Sequence, residues 1–297
     1  MAYFLADISL KQKVIDLIDN VQIFFEVSAD LQFKSAENEC ELLTEDWIKF
    51  EDAMTNTLIL VSSLTTECFA NVEERSGLAS RLRMEGFSVQ EVTCLVQDLI
   101  IAAADTTSYS TLWSFHLLAS NPSIQEKARN EVVSLNADAD FSRENLKFLN
   151  LCNKESMRLY PVAPFLTRIL NKPLRLSKEW DENVLRKNRL ILMSTYAMSR
   201  NDEYFETPDQ FWPERWERIE GKRRGVHGKD CLYASLPFGH GARKCIGVGI
   251  AENQMAYFLG KLLQRFKFRS DNQTQVKYQL KFIGVPDRPI LISLSIN

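Results

Sequence analysis

No stretch of about 18 uncharged apolar residues, the length a helix needs to cross a bilayer, occurs anywhere in the sequence. This absence excludes a membrane-spanning helix within the chain. A secretory leader is not expected either, because the apolar start of the chain is interrupted at Asp7. Basic residues form no stripe with interleaved aromatics, and the net charge is −3, so nothing points to a nucleic-acid partner. Hydrophobic residues make up 45% of the 297, as in a globular, core-forming protein.

Paired cysteine spacings are also missing. The six cysteines show no CxxC repeat and no zinc-binding pattern. We therefore expect a reducing compartment, in which five of the six are ordinary small apolar residues. The cysteines are Cys40, Cys68, Cys94, Cys152, Cys231 and Cys245.

Helical periodicity dominates the first two-thirds of the chain. The longest predicted helix runs from Ser88 to about Ser120, and Ser88 and Glu91 have the spacing of a capping box at its start. Further helices are predicted from the same apolar spacing over 9–27, 46–64, 124–135, 144–159 and 248–266.

The sequence pattern changes after Pro161, where the apolar segments become short, as is typical of β-strands. Near the end, residues 276–282 and 290–296 are expected to form a β-hairpin. The chain is therefore predicted to be a single domain over 1–297, mainly α with a small β region.

The most specific signal is the run from Phe238 to Gly247, which places Cys245 in a glycine-rich loop before a helix. Gly241 and Gly247 can take backbone angles closed to other residues, which lets the chain approach a flat ligand. The positive end of the following helix favours a thiolate, and Arg243 can pair with a carboxylate on the ligand. Without this context, a free cysteine in a turn would be the ordinary interpretation.

This run meets every position of the pattern F-x-x-G-x-R-x-C-x-G and resembles the cysteine loop of the cytochrome P-450 superfamily. The resemblance implies the C-terminal portion of a cytochrome P-450 fold. It also implies haem b as cofactor, with Cys245 as the thiolate ligand of the iron. Phe238, Gly241 and Gly247 would then contact the haem, and Arg243 would hold a propionate.

A second motif supports the resemblance, in the helix that contains Glu155 and Arg158. Residues three apart on a helix can pair, and a weak surface salt bridge is the ordinary interpretation. The surrounding sequence resembles the family's E-x-x-R helix, and the segment around Arg215 resembles the one that supplies the third member of the charge network. The implied role of this network is structural, because it would hold the cysteine loop in place.

Two further sites follow from the resemblance. Asp105 and Thr106 would line the distal side of the haem and deliver protons there, although polar residues mid-helix are ordinarily satisfied within a locally bent helix. Ala103 stands where the family usually has glycine. Arg168 would face a haem propionate, and the segment 162–166 would contact substrate, although plain strand core is an equal interpretation for these apolar residues.

The cysteine loop and its surroundings look most like the mitochondrial branch of the superfamily, which includes arthropod ecdysteroid hydroxylases and vertebrate steroid and sterol hydroxylases. This resemblance implies a lipophilic substrate such as a steroid, dioxygen, and a ferredoxin as electron donor, with a flavoprotein reductase as the alternative. The implied location is the matrix side of the mitochondrial inner membrane, with the endoplasmic reticulum membrane as the alternative. Two features depart from the branch pattern: Val248 and Gly249 replace a frequent pair of arginines, and Asn150 replaces a lysine that accompanies Lys154.

The family's chains are longer at the N-terminus, so we expect this chain to lack the family's N-terminal portion, including its targeting segment. The leading hypothesis is a haem-thiolate monooxygenase. One alternative is a haem-thiolate isomerase or lyase that acts on peroxides, although such chemistry does not need the Asp105–Thr106 pair. The other alternative is a truncated, non-catalytic protein that cannot hold haem.

Overall fold

The computed structural model describes residues 8–31, 45–70, 77–135, 140–175, 184–219, 222–223, 225–227 and 233–296. Two compact units divide the chain, Met1–Thr106 and Thr107–Asn297. The single domain expected over 1–297 stays a prediction. No described helix is both long enough and apolar enough to cross a membrane.

The first unit is helical. Helix α1 (Ile8–Leu31) packs along α2 (Glu45–Ala70), and a short α3 (Leu78–Met84) follows. Buried apolar residues recur every four positions on α1 and eight positions apart on α2, which puts them on one face of each helix. The buried members of this seam are Leu17, Val21, Phe25, Ala53 and Val61.

Helix α4 (Val89–Ser120) begins in the first unit and continues into the second. Its predicted capping box is confirmed, because the Glu91 N–H donates to Ser88 Oγ at 3.3 Å and the Ser88 N–H donates to Glu91 Oε2 at 2.8 Å. No proline interrupts the helix before Pro122, which starts α5 (Pro122–Ser134). The predicted length of more than thirty residues is confirmed.

The core of the second unit forms where α5 packs with α6 (Lys147–Leu159) and α8 (Val248–Arg265). Leu149, Leu259 and Leu263 are fully buried there. The start of α6 has no cap from its own sequence; instead Glu131 of α5 accepts hydrogen bonds from the Phe148 and Leu149 amides at 2.7 and 2.9 Å. This carboxylate satisfies two of the amides that a helix N-terminus leaves open.

The β region consists of five two-stranded antiparallel sheets among the described residues. Strand β1 (Phe165–Ile169) pairs with β4 (Leu190–Ser194), and the four-residue helix α7 (Thr195–Met198) follows β4. The remaining pairs are β2 (Leu174–Arg175) with β3 (Val184–Leu185), β5 (Arg218–Ile219) with β6 (Lys222–Arg223), β7 (Phe266–Ser270) with β10 (Ile292–Ile296), and β8 (Tyr278–Leu280) with β9 (Gly284–Pro286).

The predicted hairpin between 276–282 and 290–296 is wrong. Strand β10 pairs with β7 instead, and β8 pairs with the nearby β9. Tyr278 pairs with Pro286, and proline at the end of β9 cannot donate to a longer ladder. The last strand is therefore left to pair with the strand that directly follows α8.

Candidate functional site

The loop around Cys245 is closed by its own backbone. The Cys245 N–H donates to the Phe238 carbonyl at 2.9 Å, and the Lys244 N–H donates to the Gly241 carbonyl at 3.0 Å. Gly239 and Gly241 have φ angles of 70° and 76°. Side chains rarely adopt this left-handed region, so the loop needs glycine at both positions.

The Cys245 thiol is exposed and lies at the start of α8. A Cβ atom placed on Gly247, the residue before α8, would lie 3.9 Å from the Cys245 sulfur. The N-terminus of a helix favours a nearby negative charge, such as a thiolate. The chemistry of the donor and the glycines at 241 and 247 in its loop fit the attachment of haem iron.

Open space next to the loop supports this fit. A Cβ atom at Gly241 or Gly249 would meet nothing within 4 Å. Ile246 and Ile250 are 88% and 67% exposed, which leaves an apolar surface beside the thiol. A flat, largely apolar ligand can therefore approach the backbone closely on this face of the loop.

Strand β1 lies against the same loop. The Leu166 side chain is 3.8 Å from the position of a Cβ on Gly239, so Arg168, two residues further along the strand, belongs to the same region of the second unit. Arg168 is half-buried, and its guanidinium donates to the Thr167 carbonyl at 2.7 Å. Arg243 is exposed on the loop itself. The propionate-binding roles of Arg168 and Arg243 stay predictions.

The E-x-x-R motif forms a buried network. Glu155 Oε1 accepts from Arg158 Nη2 and from Arg215 Nε, each at 2.8 Å, and Glu155 Oε2 accepts from Arg158 Nε at 3.0 Å. The indole of Trp216 donates to Glu155 Oε2 at 2.8 Å, and the Trp212 amide donates to Oε1 at 3.2 Å. The side chains of the three charged residues are 0% exposed. The interpretation as a surface salt bridge is therefore wrong.

Both arginines also bind backbone carbonyls. Burial lowers the pKa of Arg215 and the charge of Glu155 opposes this effect, so the guanidinium depends on its partners. The carbonyl acceptors of the two arginines belong to Ser199, Pro208, Gln210, Glu206, Thr207 and Gly225. The network thus holds Ser199, the segment 206–210 and Gly225 against the side chains of the three charged residues.

Sequence reasoning missed Trp216 and Ser199 as members of this network. The Ser199 hydroxyl donates to the Arg158 carbonyl at 2.8 Å. A tryptophan directly after Arg215 was a usable signal, because a buried indole N–H needs an acceptor. Ser199 carried no such signal, since it lies 41 residues from Arg158 in the sequence.

Asp105 and Thr106 lie in the first unit, on α4, whereas the cysteine loop, β1 and the Glu155 network belong to the second. Helix α4 is continuous through this point, and the Thr106 hydroxyl donates to the Ala102 carbonyl one turn earlier at 2.7 Å. Burial, and then the negative charge of Glu26, raise the pKa of Asp105 above its ordinary value of 3.8. Proton delivery by this pair stays a prediction.

We predict that Asp105→Asn stabilises the protein at pH 7 and leaves its stability unchanged at a pH well below 3.8. The folded protein keeps the Asp105 proton to a higher pH than the unfolded chain does, so the free energy of unfolding falls as the pH rises from 3.8 through the raised pKa. Asparagine carries no titrating proton, so the variant does not lose this stability as the pH rises. Thermal unfolding of both proteins at the two pH values measures the difference in stability.

The matched control is Asp98→Asn, on the exposed surface of the same helix, which should change the melting temperature little at either pH. An equal gain from Asp105→Asn at both pH values would contradict the electrostatic cause.

A cysteine loop of this geometry, together with a buried Glu-Arg-Arg network in the same chain, is typical of haem-thiolate proteins. The Cytochrome P450 family model matches residues 7–294, and the chain belongs to this family.

Similar proteins occur in vertebrates, a mollusc and an insect. The chain is 33% identical to a protein of Hypanus americanus named mitochondrial cholesterol side-chain cleavage enzyme, over 72% of this chain and 40% of that protein. It is 33% identical to cytochrome P450 10 of Lymnaea stagnalis, over 84% and 46%, and 30% identical to mitochondrial cytochrome P450 315a1 of Drosophila melanogaster, over 84% and 45%. The chain thus spans less than half the length of these relatives.

Proposed function

We propose that this chain is a haem-thiolate monooxygenase, in whole or as the C-terminal portion of one, which inserts one oxygen atom of dioxygen into a lipophilic substrate of the steroid or ecdysteroid class. The exposed Cys245 thiol at the start of α8, in a loop that two left-handed glycines shape, carries the proposal. The family supports the reaction class, and the names of three relatives (cholesterol side-chain cleavage enzyme, vitamin D 24-hydroxylase and sterol 26-hydroxylase) support the substrate class.

The residues of the cysteine loop and strand β1 would bind the haem. Cys245 would ligate the iron of haem b, Phe238, Gly241 and Gly247 would contact the group, and Arg243 and Arg168 would pair with its propionates. Bound haem would supply the activation of dioxygen.

Protons would come from α4. Asp105 would hold a proton on its carboxylate, and the Thr106 hydroxyl would pass it on. Burial raises the pKa of Asp105, which favours the protonated carboxyl that proton delivery would need.

The electron donor in this proposal is a ferredoxin, with a flavoprotein reductase as the alternative. Lys154, whose ammonium lies 4.4 Å from the centroid of the Trp216 ring, would be a basic contact point on α6 for an acidic protein. The full-length protein would be membrane-associated, on the matrix side of the mitochondrial inner membrane, with the endoplasmic reticulum membrane as the alternative.

The carbon monoxide difference spectrum of the reduced, purified chain tests the proposal. We expect a strongly red-shifted Soret band, which indicates haem bound through a thiolate. A band typical of a nitrogen or neutral ligand, or no bound haem, would reject the monooxygenase and favour the non-catalytic alternative. If the band forms, consumption of a lipid peroxide without reductant would favour the isomerase or lyase alternative instead.

A further inference from the structure

The segment from Pro161 to Pro164, between α6 and β1, is held by each of its four carbonyl groups. Proline lacks an N–H, so a segment with a proline at each end can pair with its neighbours mainly through its carbonyls. The donors come from α7, β8 and β9, which surround the segment. Tyr278 Oη donates to the Pro161 carbonyl at 2.7 Å, and the Gly284 N–H donates to the Val162 carbonyl at 2.9 Å.

Thr195 provides the other two hydrogen bonds. Its hydroxyl donates to the Ala163 carbonyl at 2.9 Å, and its N–H donates to the Pro164 carbonyl at 2.8 Å. The side chain of Thr195 is buried, which makes both bonds costly to lose. Three residues that lie more than 30 positions after the segment in the sequence thus fix four consecutive peptide groups.

The position of Tyr278 is itself fixed. Its ring stacks on Tyr196 with 4.7 Å between centroids, and a Cβ atom at Gly284 would lie only 2.1 Å from the Tyr278 hydroxyl oxygen. Glycine is therefore required at 284 for this hydroxyl to reach Pro161. Burial raises the pKa of Tyr278, so the hydroxyl keeps the proton that it donates.

We propose that Tyr278, Gly284 and Thr195 are positioning residues that set the path of the segment 161–166 and thereby select among steroid substrates. This inference rests on the proposed function, in which residues 162–166 contact substrate. The segment continues into β1, where Leu166 packs beside Gly239 of the cysteine loop, so a shift of the segment would reach both the substrate and the loop.

Hydrogen exchange of the chain without haem tests the positioning step. In Tyr278→Phe, which loses only the hydroxyl, we expect the Thr195 and Gly284 amide protons to exchange about fivefold faster, the effect of one lost hydrogen bond. Gly284→Ala should do the same by displacing the ring. Tyr257→Phe, an exposed tyrosine on α8, is the matched control and should change neither amide. Unchanged exchange in both test variants would overturn the proposal.

Steroid binding tests the selection step without a need for haem. Cholesterol and the smaller steroid progesterone would each displace the fluorescent sterol dehydroergosterol, and the ratio of their dissociation constants would be compared between wild type and Tyr278→Phe. A changed ratio supports the proposal, because a general loss of stability would weaken both steroids equally. Faster exchange with an unchanged ratio would overturn it. Failure of the wild type to bind either steroid would reject the proposed substrate class, whereas the exchange result would still show whether these residues position the segment.

Discussion

Glu155→Gln is expected to unfold the second unit at denaturant concentrations that leave the wild type folded. Glu155 carries the negative charge that balances two buried guanidinium groups, and both of its oxygens accept hydrogen bonds. Glutamine keeps the shape but leaves the charges of Arg158 and Arg215 unbalanced away from water. Removing one partner of a buried ion pair costs about 3–5 kcal/mol, a large share of the roughly 5–15 kcal/mol that keeps a domain folded.

Glu214→Gln is the matched control for this prediction. Glu214 pairs with Lys127 at 2.9 Å, but the lysine side chain is 47% exposed, so this pair should contribute about 1 kcal/mol or less. Urea unfolding followed by near-ultraviolet circular dichroism reports on Trp216, which touches the Glu155 carboxylate. Equal shifts of the unfolding midpoint in the two variants would mean that burial of the Glu155 charge has no special importance.

Features that depend on local physics could be predicted from the sequence. The 32-residue helix α4 follows from a proline-free apolar pattern between a capping box and Pro122. The spacing of Glu155 and Arg158 on one helix predicted that they pair, but local physics alone indicated a surface salt bridge, and only the family resemblance indicated Arg215 as a third member. In the cysteine loop, the special backbone angle expected at Gly241 is confirmed, whereas Gly247 has an ordinary φ of −85° and Gly239 takes the second left-handed angle instead.

Features that depend on distant partners could not be predicted. The alternation in residues 276–282 and 290–296 indicates strands but does not name the partner of each, and β10 pairs with β7 instead of closing a hairpin. The carbonyls that Arg158 binds lie 41 to 52 residues away. Every residue has a backbone carbonyl, so the sequence does not indicate which of them Arg158 binds. The predicted place of Asp105 and Thr106 on the distal side of the haem likewise depends on long-range packing, and it stays a prediction.

Cys245→Ala is expected to abolish the red-shifted Soret band of the carbon monoxide difference spectrum without unfolding the loop. The thiol is exposed, and the residue holds its loop through the backbone N–H that donates to Phe238, a bond that alanine keeps. The substitution therefore removes the metal ligand and little else, because no described core contact depends on the sulfur. Circular dichroism should be unchanged, whereas the spectrum should change to that of a neutral or nitrogen ligand, or disappear.

Cys94→Ala is the matched control, since Cys94 is also exposed but lies on α4, outside the cysteine loop. It should leave the band intact. Thiol labelling gives a second readout: a reagent should modify both cysteines in the haem-free chain, and added haem should protect Cys245 but not Cys94. Persistence of the band in Cys245→Ala, or equal protection of both thiols, would place the iron ligand elsewhere. Protection confined to Cys245 would instead tie haem binding to this sulfur even in preparations with too little haem for a spectrum, because labelling measures the sulfur directly.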